Sequence, residues 1–180
     1  MSERDLALKE ALRWIADEPE CADAHYALAL AYEDLDREEE RRRAMLTVLS
    51  LDLRSGRDPL PDDVICDEVE TTLAELPPAI AERLGPVAIL IEPRPSRELV
   101  EEGIDARILG LFEGATSEEL SGPDAPLTTT RILIFSHNLG DACAGEPEAN
   151  LRAEVRITVL HEVGHFFGLE EDDMERLGLD

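Results

Sequence analysis

Outside the charged run at 36–43, apolar positions recur at helical spacing through the first 56 residues, with charged residues between them. That period predicts helices at about residues 3–17, 22–35 and 37–51. Pro19 and Glu20 separate the first two, and Asp36 with Arg37 marks the next turn. Residues 54–61 (Arg-Ser-Gly-Arg-Asp-Pro-Leu-Pro) have the composition of a linker. Beyond them the pattern is mixed. Helices are expected from Asp62 to Leu76 and from Ala79 to Leu84. The run from Val87 to Ile91 reads as a buried strand of five apolar residues. Ser96 can cap a short helix through Glu102. Strands are expected at residues 107–112 and 131–135, with loop at 115–129. A long helix is expected from about Glu148 to Phe167, and a short one at 171–177. Helices, then a small sheet, then helices again give an α+β fold class. The expected organisation is a helical extension at 1–56 and a second domain at 62–180.

The helical extension carries Leu28, Ala29 and Tyr32 on one expected helix, and Val48, Leu49, Leu51 and Asp52 on the next. These positions resemble one tetratricopeptide repeat, a helical hairpin. The small residue early in the second helix and the closing Pro are replaced by Arg41 and Leu53. A lone hairpin with half a neighbour cannot bury its apolar face, so the unit is expected to pack on the second domain. It then serves either as a docking surface for a protein partner or as a brace for that domain.

Composition narrows the function classes. Apolar residues make up 43% of the 180, enough to bury a core despite 33% charged residues. The net charge of −25 argues against nucleic acid as a partner, because phosphate contacts need a clustered positive surface. It argues equally against docking on anionic membranes. No apolar run is long enough to span a bilayer, and the charged start is unlike a secretory signal, so the expected location is cytoplasmic. Cys21, Cys66 and Cys143 form no CxxC pair, which suits free thiols rather than a disulfide framework.

The chemistry lies near the C-terminus, where residues 161–165 read His-Glu-Val-Gly-His. On a helix, positions i and i+4 share one face about 6 Å apart. His161 and His165 can therefore each turn a ring nitrogen onto one metal ion. Glu162 lies close to the same face and suits a general base for a metal-bound water. Leu151, Val155 and Val159 lead an apolar stripe into the motif, so the histidines arise where the helix enters the core. A buried polar group needs a partner, and a metal supplies one.

Catalytic zinc usually has three protein ligands and one open position. Gly168 can end the helix in a left-handed turn and fold the chain back. The spacing then favours Glu171 as third ligand, with Asp172 or water as alternatives. His137 is a candidate for stabilising an oxyanion or a plain turn residue. Met174 reads as a core residue of the last helix.

Together with Leu76-Pro77, residues 109–114 (Leu-Gly-Leu-Phe-Glu-Gly) and residues 132–135 (Ile-Leu-Ile-Phe), the stretch from Val159 to Gly168 makes residues 62–180 similar to the small bacterial zincin-like metallopeptidases, or minimal zincins. That resemblance implies a compact α+β domain with zinc on His161 and His165. It also implies an acidic third ligand after the glycine, usually Asp, where this chain has Glu171. The implied activity is zinc-dependent peptide hydrolysis through a zinc-bound water activated by Glu162, on a peptide or protein substrate. Residues 62–180 hold 27 acidic and 8 basic residues, net −19, which favours cationic peptides. The alternative is a non-catalytic zinc-containing module that binds a protein partner through the helical segment and a vestigial groove.

Overall fold

The structure is a computed structural model that describes residues 3–55, 62–85, 87–122 and 129–177. In chain order, its first elements are the helices α1 (Glu3–Asp17), α2 (Ala22–Glu33), α3 (Glu38–Arg54), α4 (Asp62–Ala74) and α5 (Pro78–Leu84). Strand β1 (Ala88–Glu92), α6 (Arg97–Glu101), β2 (Gly110–Glu113), α7 (Ser117–Ser121) and β3 (Arg131–Phe135) come next. The chain ends in α8 (Ser136–Ala142), α9 (Glu148–Phe166) and α10 (Glu171–Leu177). The fold is mixed α and β. Among the described residues, no helix is long and apolar enough to cross a membrane.

Contacts divide the chain into two units: Met1–Asp58 with Pro95–Ile108, and Pro59–Arg94 with Leu109–Asp180. A single boundary near residue 56 does not describe this division. Pro95–Ile108, expected within the second domain, groups with the N-terminal helices. Residues 56–61, most of the expected linker, lie outside the described residues.

In the first unit α1, α2 and α3 pack in sequence. Ala24 and Ala29 of α2 are fully buried, and such small side chains let neighbouring helices approach closely. Asp36 takes a positive φ of 55° in the α2–α3 turn, a conformation Asp tolerates better than most residues. Met45 and Val48 form the centre of the cluster, and Val100 and Ala106 from the 95–108 segment complete it. The apolar face that a lone hairpin leaves open is therefore covered by this chain's own later segment. Arg41, 9% exposed, donates from Nη1 to the Gly103 carbonyl at 2.9 Å.

In the second unit the sheet order is β1-β3-β2. β1 runs parallel to β3 and β2 antiparallel to it. Ile132, Leu133, Ile134 and Phe135 are all buried. A strand covered on both faces reads as a continuous apolar run, and each such side chain contributes about 1.5–3 kcal/mol. The long helix α9 lays Leu151, Val155, Val159 and Val163 into the same core as Ile132, Ile134 and Ile65. Arg152 on α9 pairs with Asp67 and Glu68, and Arg156 with Glu75, along the exposed seam with α4.

Several expectations need correction. β1 is an edge strand shifted by one residue, and Leu90 is 40% exposed rather than buried. The second strand begins at Gly110, not Arg107. The Arg107 backbone N–H instead donates to Asp105 Oδ1 at 2.7 Å, which holds a turn there. Part of the expected loop at 115–129 is the helix α7. Its N-terminus is a capping box in which Thr116 and Glu119 satisfy each other's backbone donors. Residues 123–128 of that loop lie outside the described residues. His137 belongs to α8, a helix absent from the expected order.

Candidate metal centre

His161, Glu162 and His165 lie in the last turns of α9. The helix ends just beyond them in a Schellman turn. Leu169 N–H donates to the Gly164 carbonyl at 3.1 Å and Gly168 N–H to the His165 carbonyl at 2.9 Å. Gly168 takes a φ of 77°, which a residue without Cβ adopts at no steric cost. The reversal starts α10 at Glu171 and returns its carboxylate over the two imidazoles.

The three side chains converge. His161 Nε2 lies 3.0 Å from His165 Nε2. Glu171 Oε1 lies 3.3 Å from His165 Nε2, and Oε2 lies 3.7 Å from His161 Nε2. Among the described residues this is the one group of three His, Cys, Asp or Glu side chains whose ligand atoms fall within 4.8 Å of one another. Asp172 and His137 are not part of it, and neither is any cysteine. Metal–ligand bonds of about 2.0–2.2 Å in a tetrahedron separate the donor atoms by about 3.3–3.6 Å. The observed spacings straddle that range, so two imidazoles and a carboxylate of this spacing fit a zinc ion.

The tautomer is arranged as well. His165 Nδ1 lies 3.2 Å from the Leu169 carbonyl, within the same turn. A carbonyl only accepts, so the Nδ1 hydrogen points at it and Nε2 keeps its lone pair facing Glu171 and His161. A backbone carbonyl on the distal nitrogen is the usual partner of a metal-binding histidine.

Glu162 faces inward and is 6% exposed. Burial pushes its carboxyl up to about 7, while the neighbouring His161 and a backbone hydrogen bond from Phe112 pull the other way. Phe112 belongs to β2, and so does Gly110. A Cβ on Gly110 would stand 2.8 Å from both Cγ and Oε1 of Glu162, and 2.8 Å from Thr158 Cγ2. Glu162 thus occupies space that only glycine leaves open in the strand. In the sequence Gly110 stands out only as part of a motif. Its role depends on a strand and a helix meeting 52 positions apart in the chain, which no local signal reveals.

A second close approach lies under the motif. The Gly164 Cα faces Met174, which is fully buried, and a Cβ there would stand 2.6 Å from its Sδ. Met174 is a core residue, as expected, and it packs α10 directly beneath the histidines. His25, in the first unit, places Nε2 2.9 Å from the Pro19 carbonyl and ties the α1–α2 turn.

Residues 84–179 match the model of the family described as Zincin-like metallopeptidase. The match spans just over half of the chain, and the chain belongs to this family. A search among curated proteins found no match.

Proposed function

We propose that this protein is a zinc-dependent metallopeptidase in which His161, His165 and Glu171 hold the metal and Glu162 is the general base. The observation that carries this reading is the convergence of those three donors, two of which act electrostatically on the buried Glu162 carboxylate. Family membership supports it. Zinc bound there would supply Lewis acidity, lowering the pKa of a water to about 7 and polarising the scissile carbonyl. Glu162 takes the proton from the attacking water at a carboxylate oxygen and delivers it to the leaving amine nitrogen. Gly110 and the Phe112 N–H hold that carboxylate in place, and the surrounding core keeps it out of bulk water.

The substrate class is an extended peptide segment. β2 is an edge strand and supplies the residues around Glu162, so a peptide adding alongside it would present its carbonyl near the base. The charge of residues 62–180 favours cationic sequences. A Glu162→Gln variant tests the mechanism. It should retain zinc and lose cleavage of a basic peptide library by about a thousandfold or more, because general-base catalysis is removed while the ligands stay. Cleavage at the wild-type rate by that variant would refute the role of Glu162.

A further inference from the structure

The segment Pro95–Ile108 leaves the sheet after β1, joins the helical unit, and returns to begin β2. Its anchoring is dense. Val100 and Ala106 are 0% and 1% exposed in the cluster formed with Met45 and Val48. At the end of the segment, Arg107 is gripped from three sides. Its Nε and Nη2 donate to the two oxygens of Asp52 at 2.9 and 3.2 Å. Its Nη1 donates to Asp23 Oδ1 at 2.7 Å, and its guanidinium lies 5.0 Å from the centre of the Tyr26 ring. Tyr26 in turn donates to Asp105 Oδ2 at 3.0 Å, while Asp105 Oδ1 accepts the Arg107 backbone N–H. α2, α3 and the segment are thus joined in one closed network.

Two residues beyond Arg107, the Leu109 carbonyl accepts from Phe135 N–H at 2.9 Å, the first link into the sheet. Gly110 comes next, where a Cβ would collide with Glu162. The clamp therefore fixes the backbone only three residues upstream of the point that makes room for the proposed base. A strand of four residues has few hydrogen bonds of its own with which to hold its start.

We propose that Arg107 is a positioning residue: by fastening the 105–108 turn to Asp52, Asp23 and Tyr26, it sets the start of β2 and, through Gly110 and Phe112, the placement of Glu162. The face of the N-terminal helices next to Met45 and Val48 is filled by a resident segment of the same chain. The catalytic consequence rests on the peptidase reading, whereas the effect on β2 does not.

Hydrogen exchange on the full-length protein tests this directly. Arg107→Gln breaks the fork to both carboxylates, and Arg107→Lys keeps the charge but cannot serve both at once. Amides of residues 110–113 should exchange about tenfold faster in Arg107→Gln and less so in Arg107→Lys, with α9 unchanged. Zinc content should stay at the wild-type level, and any peptide cleavage should fall in kcat rather than rise in KM. Faster exchange across 95–108 with no change at 110–113 would overturn the proposal. If Arg107→Gln does not fold, the same comparison is made on Arg107→Lys and on Asp52→Asn. A wild type that binds no zinc would refute the peptidase reading, and the exchange result would still stand or fall alone.

Discussion

Gly110 and Glu162 meet so closely that a single methyl group cannot be placed between them: a Cβ on Gly110 would lie 2.8 Å from the Glu162 Oε1. Strand and carboxylate are therefore one mechanical unit. Gly110→Ala should force Glu162 or β2 to move, at a cost of about 1–3 kcal/mol for overpacking. Peptide cleavage should fall while zinc content holds, because the proposed ligands sit on α9 and α10. Denaturant unfolding, zinc analysis and cleavage assays on one preparation check all three. Unchanged cleavage would show that Glu162 is not held as described.

The last helix is held by Met174 against Gly164. Met174→Ala removes a fully buried side chain and should destabilise the protein by about 2–5 kcal/mol. Because α10 begins at Glu171, whose carboxylate lies over the histidines, zinc affinity should fall as well. A competition titration with a chelator of known affinity measures it. Loss of stability with unaltered affinity would mean that Glu171 is placed by the Schellman turn alone.

Much of this site is legible in the sequence, and the reason is local. The i,i+4 spacing sets His161 and His165 on one helical face, and Gly168 supplies the reversal that returns Glu171. Both depend on residues close together in the chain. The clamp at Arg107 depends on Asp23 and Asp52, distant in the chain, and nothing in the segment 95–108 signals that it will leave the sheet. The edge position of β1 is equally hidden, since five consecutive apolar residues describe a central strand as well as an edge one. α8 has neither a clear apolar period nor a side-chain cap at Phe135, so only its packing defines it. α7 is readable: Thr116 and Glu119 spell its capping box.

Tyr26 reports on the clamp through pH. Burial pushes its phenol up to about 12, with the charge and hydrogen bond of Asp105 adding to the rise, Arg107 opposing it and Glu33 adding slightly. The folded value lies above the ordinary 10.0. The corresponding stabilisation is complete below pH 10 and is lost as pH rises through the window up to about 12. Denaturation midpoints measured across that window should fall more steeply for the wild type than for Tyr26→Phe. Parallel curves would show that folding does not raise the phenol's pKa.

Metal removal should act on stability too. A ligand that binds only the folded chain stabilises it by about 2.7 kcal/mol when its free concentration is about a hundredfold above Kd. Stripping the protein with a chelator should lower the melting temperature, and added zinc should restore it. Neither shift should occur in Glu171→Ala at the same zinc concentration, and a wild-type shift in that variant would remove Glu171 from the proposed ligand set.

The most direct test of the account is elemental analysis of freshly purified protein beside His161→Ala. The wild type should carry about one zinc per chain, and the variant should lose it. A folded wild type that carries no zinc and takes up none when it is offered, or a His161→Ala variant that keeps it, would contradict the account.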